Sequence, residues 1–204
     1  MTGARVKTGH ERVPVLAAVV LAAGAGARFG RPKALAGSVE HPWVAVALAT
    51  LRAAEIAEIV VVIGAEAEAV RRALPPDARV AENKEWLQGR TGSLQCGLRA
   101  LSPGAGGALV HQVDFPDVRA GTARALAGAF AARAGREAAI IVPVCAGRRG
   151  HPVVIGRAVW PEILALAPDE PLRTVVRRDP ARVVEVAVDD PGIHRNRNAA
   201  EEEP

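Results

Sequence analysis

Aromatic residues, cysteines and long apolar runs are all scarce in this sequence. Aromatic side chains make up 3% of its 204 residues, and tyrosine is missing altogether. Nucleic-acid bases stack on such rings, so we expect no nucleic-acid partner, although the formal net charge of +4 favours an anionic one. A phosphorylated small molecule suits this composition better.

The cysteines and the apolar stretches favour a protein of the cytoplasm. Cys96 and Cys145 lie far apart and in no metal-ligand spacing, as expected for reduced thiols. The apolar stretch at 13–23 is too short to cross a bilayer, so we expect no membrane partner. Basic residues precede it and Ala-Gly-Ala follows at 25–27, as in a secretory signal. Secretion is the less favoured alternative, because cleavage there would cut through the basic glycine loop that follows.

Length and patterning predict one compact domain. Half of the residues are apolar, which is enough for a sizeable core in a chain of this length. Residues 1–12 are polar, basic and without pattern, so we expect a flexible N-terminus there. Residues 13–204 are expected to form a single domain.

Strands and helices alternate along this domain. Apolar, valine-rich runs predict strands at 14–21, 59–63, 79–81, 108–113, 138–144 and 183–188. Helical spacing of apolar residues predicts helices at 43–54, 65–74, 94–101, 119–133, 157–167 and 172–178. This alternation predicts a three-layer α/β/α domain with a mostly parallel sheet.

A basic glycine loop follows the first predicted strand. Residues 21–33 read LAAGAGARFGRPK, with cationic Arg28, Arg31 and Lys33 among three glycines. Small residues let backbone N–H groups approach an anion closely, and the cations neutralise its charge. The loop therefore predicts a phosphate-binding site.

Two other phosphate-binding motifs are alternatives for this loop. It lacks the spacing of a Walker A motif. Gly24, Gly26 and Gly30 resemble a dinucleotide-binding pattern, which leaves a nicotinamide enzyme as an alternative. Pro32 interrupts the helix that such a motif requires, and Glu66 lies too far along the chain for the usual ribose-binding acid.

Three further segments carry polar residues where ligands collect. Residues 89–93 form a small-residue loop before a helix, whose N-terminus could bind an anion, with Thr91 or Ser93 as a plain cap the alternative. Asp114 follows a central strand, a common position for a metal ligand, although it could also be a turn or helix cap. The segment 146–155 is basic, and is either a ligand loop or a solvated hairpin.

These segments resemble those of a known family. LAAGAGARFGRPKAL is similar to the signature of the MobA-like nucleotidyltransferases, and especially of the molybdenum cofactor cytidylyltransferases. Further likenesses follow in the same order: Asn83, Trp86 and Gly89 with TGSLQCGL, then Asp114-Phe115-Pro116, residues 147–153, and residues 196–202.

The resemblance implies a Rossmann-like nucleotidyltransferase fold. It also implies a reaction in which a substrate phosphate attacks the α-phosphorus of an NTP and pyrophosphate leaves. Arg28 would hold the β- and γ-phosphates and Lys33 the α-phosphate, while Asp114 would bind Mg²⁺ (or Mn²⁺) with Asn196 or Asn198. The nucleotide pocket would be lined by Leu21, Ala22, Ala23, Gly24, Gly26, Gly30, Asn83, Gly92 and Ser93. Arg149, Gly150 and His151 would face the acceptor.

Pro32 before Lys33 resembles the cytidylyl branch, which implies CTP as the nucleotide and molybdopterin as the acceptor. The product would then pass to a molybdoenzyme or its chaperone. Thr91-Gly92, the asparagines at 196 and 198, and Ala199-Ala200 depart from the family pattern and bear on the acceptor and the metal geometry. The alternatives are a sugar or polyol phosphate acceptor, a GTP-using guanylyltransferase, and a regulator that binds nucleotide without turnover.

Overall fold

The fold was analysed in a computed structural model, which describes residues 15–27 and 30–197. The predicted flexible terminus at 1–12, together with Arg28 and Asn198, therefore lies outside the described residues. In the part of the chain that is described, no helix is both long and apolar enough to cross a membrane.

One eight-stranded sheet forms the middle layer. Its strands are β1 Val15–Ala22, β2 Ile59–Ile63, β3 Arg79–Glu82, β4 Ala105–Gln112, β5 Ile140–Cys145, β6 Arg148–Arg149, β7 Val153–Gly156 and β8 Val183–Ala187. The order is β3-β2-β1-β4-β7-β5-β6, and β8 pairs with β5. Strands β1 to β4 pair in parallel, β7 is antiparallel to β4 and β5, and β8 is parallel to β5. The predicted mostly parallel sheet is confirmed.

Helices cover both faces of this sheet. They are α1 Trp43–Ala53, α2 Ala67–Arg72, α3 Arg90–Ala100, α4 Ala120–Ala132, α5 Trp160–Leu164 and α6 Arg173–Arg178. Buried side chains of α1, α2 and α4 pack with Val20 and Val61 on one face. Those of α3, α5 and α6 pack with Val19 and Val62 on the other. Successive strand residues point to opposite faces, so both layers are apolar and the predicted α/β/α architecture is confirmed.

Two of the boundaries that differ from the prediction have a cause in tertiary packing. Helix α3 begins at Arg90 instead of residue 94, because its first turn is held from outside: the Gly92 N–H donates to Pro168 O at 3.1 Å. Strand β4 begins at Ala105, although the glycines there predicted a turn. The Phe130 ring packs so close to Gly107 that a Cβ there would lie 2.7 Å from it, so the glycine serves packing within the strand.

Candidate functional site

The carboxyl edge of the sheet brings the glycine loop and Asp114 together. Strands β1 and β4 are neighbours, with Leu21 paired to Gln112, so the chain leaves both strands at the same edge. Lys33 Nζ lies 3.2 Å from Asp114 Oδ2, with the two side chains 19% and 10% exposed. An ion pair thus joins the two segments that sequence reasoning assigned to phosphate and metal.

The glycine loop is closed by a tight turn. Gly26 has a φ of 60°, and a Cβ there would overlap the carbonyl oxygen of Arg31. Only glycine fits both the left-handed conformation and the close approach. The closed turn leads to buried Pro32 and a short 3₁₀ helix, Lys33–Leu35, which directs Lys33 toward Asp114.

A cavity of about 250 Å³ lies between this loop and helix α3. Its lining residues are Leu21, Ala23, Gly24, Gly26, Lys33, Trp86, Gly89, Arg90, Ser93, Gln112, Val113 and Asp114. Five of the nine residues predicted for the nucleotide pocket are among them. Ala22 instead packs into the core, and Gly30 is exposed outside the cavity.

Asn83 and Gly92 line a separate depression on the outer side of α3. Asn83 still reaches the cavity indirectly, because its Nδ2 donates to the Ser93 hydroxyl at 3.0 Å. Ser93 is therefore no helix cap: α3 has Gly89 at its N-cap position and no side-chain cap. Thr91 does not cap it either, since its hydroxyl donates to Glu170 O at 2.5 Å.

Asp114 and the nearby C-terminal segment offer oxygen atoms that could bind a hard cation. Asp114 is buried, and its carbonyl accepts a hydrogen bond of 2.8 Å from the Arg197 N–H, which brings the C-terminal segment alongside. Asn196 Oδ1 is buried with no hydrogen-bond partner among the described residues. Carboxylate and amide oxygens are the donors that Mg²⁺ and Mn²⁺ prefer, so these residues fit such an ion. Within the described ranges no three His, Cys, Asp or Glu residues cluster as a metal site.

A hydrogen-bonded chain that the sequence did not reveal crosses this edge. Arg90 donates to Gln112 Oε1 at 3.2 Å, and the other end of that amide, Nε2, lies 3.4 Å from His151 Nδ1. Because Arg90 fixes the amide orientation, Gln112 donates and His151 Nδ1 accepts, which leaves the proton on Nε2. Burial, with Arg90 adding to it, lowers the pKa of His151 despite the opposing effect of Asp114. His151 is thus a neutral donor, packed 4.9 Å from the Phe115 ring.

The other two residues predicted for the acceptor lie elsewhere. Arg149 Nε donates to Glu185 at 2.7 Å on the exposed hairpin and lines neither cavity at the sheet edge. Gly150 packs under Ile193, where a Cβ would lie 2.5 Å from the Ile193 carbonyl. The tight contact positions His151, whose N–H donates to the same carbonyl at 3.0 Å. Of the predicted trio, only the imidazole faces the site.

His111 lies beneath the site without a role in it. It is 1% exposed on β4, and its Nδ1 has no hydrogen-bond partner in the described structure. Burial, reinforced by His151, lowers the pKa of His111 to about 4. The imidazole is therefore neutral at physiological pH.

A second, wider cleft of about 580 Å³ adjoins the first cavity and shares Leu21, Arg90 and Gln112 with it. Its lining includes His151 and a set of aliphatic side chains, called the floor of the cleft: Leu21, Val153, Leu172 and Val176. Gln112 was detectable in the sequence as a polar residue near the end of the apolar run at 108–113. Arg90 was not, because an arginine at a helix start is ordinarily solvated.

This arrangement is that of the Rossmann-like nucleotidyltransferases, in which a glycine loop follows the first strand of an α/β/α domain. Residues 18–183 match the family described as the MobA-like NTP transferase domain. The chain belongs to that family, and the sequence-based recognition is confirmed.

Among its relatives is a nicotine blue oxidoreductase of Paenarthrobacter nicotinovorans. The two are 32% identical over 179 residues, which cover 84% of this chain and 86% of the relative. A bifunctional protein GlmU of Paraburkholderia xenovorans is 40% identical over 111 residues, or 53% of this chain and 24% of that protein. The family thus includes a relative named for a redox reaction.

Solved structures share the fold. Rv0371c of Mycobacterium tuberculosis superposes with a TM-score of 0.75 at 29% identity, over 87% of this chain and 90% of that one. A structure of the same protein contains manganese, with a TM-score of 0.71, 28% identity, and coverage of 86% and 89%. A nucleotidyl transferase from Methanothermobacter has a TM-score of 0.77 at 24% identity, covering 92% and 94%, which shows the fold alone.

Proposed function

We propose that this protein transfers a nucleotidyl group, CMP from CTP, to a phosphorylated acceptor in the cytoplasm and releases pyrophosphate. The observation that carries the proposal is the Lys33–Asp114 ion pair at the mouth of the glycine loop. The proposal is supported by a cation and a carboxylate that line one cavity together with glycines of the loop. Nucleotidyl transfer needs such positioning and charge neutralisation, and it needs no covalent nucleophile.

Each group has a part in this reaction. The glycine loop, with Arg28, binds the β- and γ-phosphates, and Lys33 contacts the α-phosphate where charge develops. Asp114, with Asn196 or Asn198, would hold Mg²⁺, which neutralises phosphate charge when bound. His151 donates its Nε2 proton in a hydrogen bond to the acceptor and orients the attacking phosphate. Ser93, held by Asn83, lines the base side of the cavity.

Molybdopterin is the acceptor that the family resemblance favours, with a molybdoenzyme or its chaperone as the recipient of the product. Pro32 before Lys33 supports CTP over GTP on the same ground. Sugar and polyol phosphates are the competing acceptors. Manganese in a structure of a relative with 28% identity supports a divalent ion.

Pyrophosphate release tests the proposal. The full chain is incubated with Mg²⁺, with each of CTP, GTP and ATP, and with molybdopterin or another phosphorylated acceptor. Release that requires both an NTP and an acceptor, and is fastest with CTP, is the expected result. NTP binding without release for any acceptor would instead identify a regulator.

A second candidate function is a nicotinamide-dependent reduction. It is favoured by one observation, the likeness along most of the chain to a protein named nicotine blue oxidoreductase. In that case NADPH would bind the glycine loop and the wide cleft would hold the molecule reduced. NADPH binding that survives Lys33→Ala and needs no Mg²⁺ would favour this function over nucleotidyl transfer.

A further inference from the structure

We propose that the wide cleft binds a flat, largely hydrocarbon ring system carried by the acceptor, with the acceptor's phosphate directed toward Lys33 and Asp114. The inference rests on the proposed nucleotidyl transfer and narrows its acceptor. It favours a ring without polar edges over a sugar or polyol phosphate, and also over the pterin of molybdopterin, the acceptor that the family resemblance alone favours.

The chemistry of the cleft wall carries the proposal. Leu21, Val153, Leu172 and Val176 are half-buried and line the cleft, so their aliphatic surfaces remain open to a ligand. Fully buried isoleucines, such as Ile163, close its deep end. A polyol placed on this floor would lose hydrogen bonds to water and gain none in return. A ring system without polar edges has no hydrogen bonds to water to lose there, and it would bury apolar surface.

The size and position of the cleft suit one part of a substrate. Its volume of about 580 Å³ falls within the roughly 300–1,000 Å³ of small-molecule sites. It continues into the glycine-loop cavity past Leu21 and Gln112, which line both. A molecule whose ring occupies the cleft can therefore extend a substituent to the Lys33–Asp114 pair.

Polar side chains also line the cleft and suit the phosphate end. Among them are Arg90 and Arg173, with Asp169 as the carboxylate of the lining. Two cations against one anion favour a negatively charged substituent over a neutral one. The pterin of molybdopterin, which carries hydrogen-bonding groups around its edge, would place some of them against the aliphatic floor.

Binding of 2-naphthyl phosphate, compared with glycerol 3-phosphate, tests the cleft directly. In isothermal titration calorimetry with the full chain, we expect the naphthyl compound to bind at least tenfold more tightly and with a negative heat-capacity change, the mark of apolar burial. Equal affinities, or binding without that heat-capacity change, would overturn the proposal. This readout needs no turnover, so it stands apart from the nucleotidyl-transfer test.

Val153→Thr and Val176→Thr place a hydroxyl on the floor at nearly constant volume. Each should weaken 2-naphthyl phosphate binding roughly tenfold, because the hydroxyl is desolvated without a partner. Val186→Thr is the matched control, since Val186 is a half-buried valine that packs against the opposite face of the sheet. Thermal unfolding midpoints identify any variant that has lost its fold. If both floor variants bind 2-naphthyl phosphate with unchanged affinity, the ring does not bind on the floor of the cleft.

The rate of pyrophosphate release with different acceptors distinguishes failure of this proposal from failure of nucleotidyl transfer. With CTP and Mg²⁺, faster pyrophosphate release for 2-naphthyl phosphate than for glycerol 3-phosphate supports the proposal. Faster release with glycerol 3-phosphate or molybdopterin overturns it and leaves nucleotidyl transfer intact. No release with any acceptor would refute nucleotidyl transfer, while the calorimetric comparison still decides what the cleft binds.

Discussion

Replacing Lys33 by methionine tests the proposed chemistry most directly. Lys33 Nζ lies 3.2 Å from Asp114 Oδ2, and both side chains are largely shielded from solvent. Methionine keeps a long unbranched side chain and removes the charge, so the packing around the glycine loop should persist. The variant therefore isolates the cation from the fold.

The loss of turnover follows from the charge that develops on the α-phosphate. Removing one preorganised group that stabilises such charge costs about 2.7–4 kcal/mol, or roughly 100- to 1,000-fold in rate. We expect kcat to fall by about 100-fold or more. KM for CTP should change less, because the glycine-loop N–H groups still bind the phosphates.

The same substitution should strengthen metal binding in the absence of nucleotide. The Lys33 cation pairs with Asp114, the proposed metal ligand, and would repel a divalent ion there. Two unit charges 4 Å apart in water interact by about 1 kcal/mol, so a divalent ion experiences about 2 kcal/mol. Removing that repulsion corresponds to a rise in Mn²⁺ affinity of roughly 10- to 30-fold.

Pyrophosphate release measures the first effect, and electron paramagnetic resonance titration of Mn²⁺ measures the second. Arg133→Met is the control, because Arg133 is an exposed cation at the end of α4. Turnover within threefold of the parent protein would remove Lys33 from the mechanism. A lower Mn²⁺ affinity in Lys33→Met would show that the cation does not compete for Asp114.

Three further predictions concern the edge of the sheet. Asp114→Asn should lower turnover by about 100-fold and weaken Mn²⁺ binding in the same titration, because a neutral amide replaces the carboxylate. Unchanged turnover and unchanged Mn²⁺ affinity would exclude Asp114 as a metal ligand. Gly26→Ala should abolish CTP binding in calorimetry, because its Cβ would overlap the Arg31 carbonyl. Gly30→Ala is the control, since its Cβ meets no atom of the described residues within 4 Å and shares only the cost of positive φ. Equal losses would mean that the closed turn is not required. The pKa of His111 is about 4 in the folded protein, below its unfolded value of about 6.5. The contribution of His111 to stability is therefore lost as pH falls from about 6.5 to 4. The free energy of unfolding should decrease over this range by up to about 1.4 kcal/mol per pH unit. Urea unfolding at pH 7 and pH 5 should show a smaller decrease for His111→Leu than for the parent protein, and equal decreases would contradict the assignment.

Much of the fold was predictable because its signals are local. The apolar run at 59–63 coincides with β2, and the run at 14–21 differs from β1 by one residue at each end. The predicted boundaries were wrong where a contact with a distant part of the chain determines the start of an element. Helix α3 starts early because residues 168–170 accept hydrogen bonds from its first turn, and no pattern within the helix records those partners.

The positions of the candidate-site residues were likewise predictable only where their signals are local. The glycine loop and Asp114 were identified because each follows a buried strand, and parallel neighbouring strands end at one edge. The residues predicted to face the acceptor lie apart in the structure, since Arg149 pairs with Glu185 whereas His151 lines the wide cleft. A basic segment indicates charge, but it does not indicate which side chains find a partner on a neighbouring strand.

By itself, the sequence determined the order of strands and helices, the basic glycine loop and the family, because hydrophobic periodicity and motif spacing are properties of contiguous residues. Only the tertiary structure decided which side chains share a cavity. The Arg90–Gln112–His151 chain and the aliphatic cleft beside it join residues that are far apart in the chain. Their proximity comes from packing α3, α5 and α6 on one face of the sheet, which depends on the whole core and on no single motif.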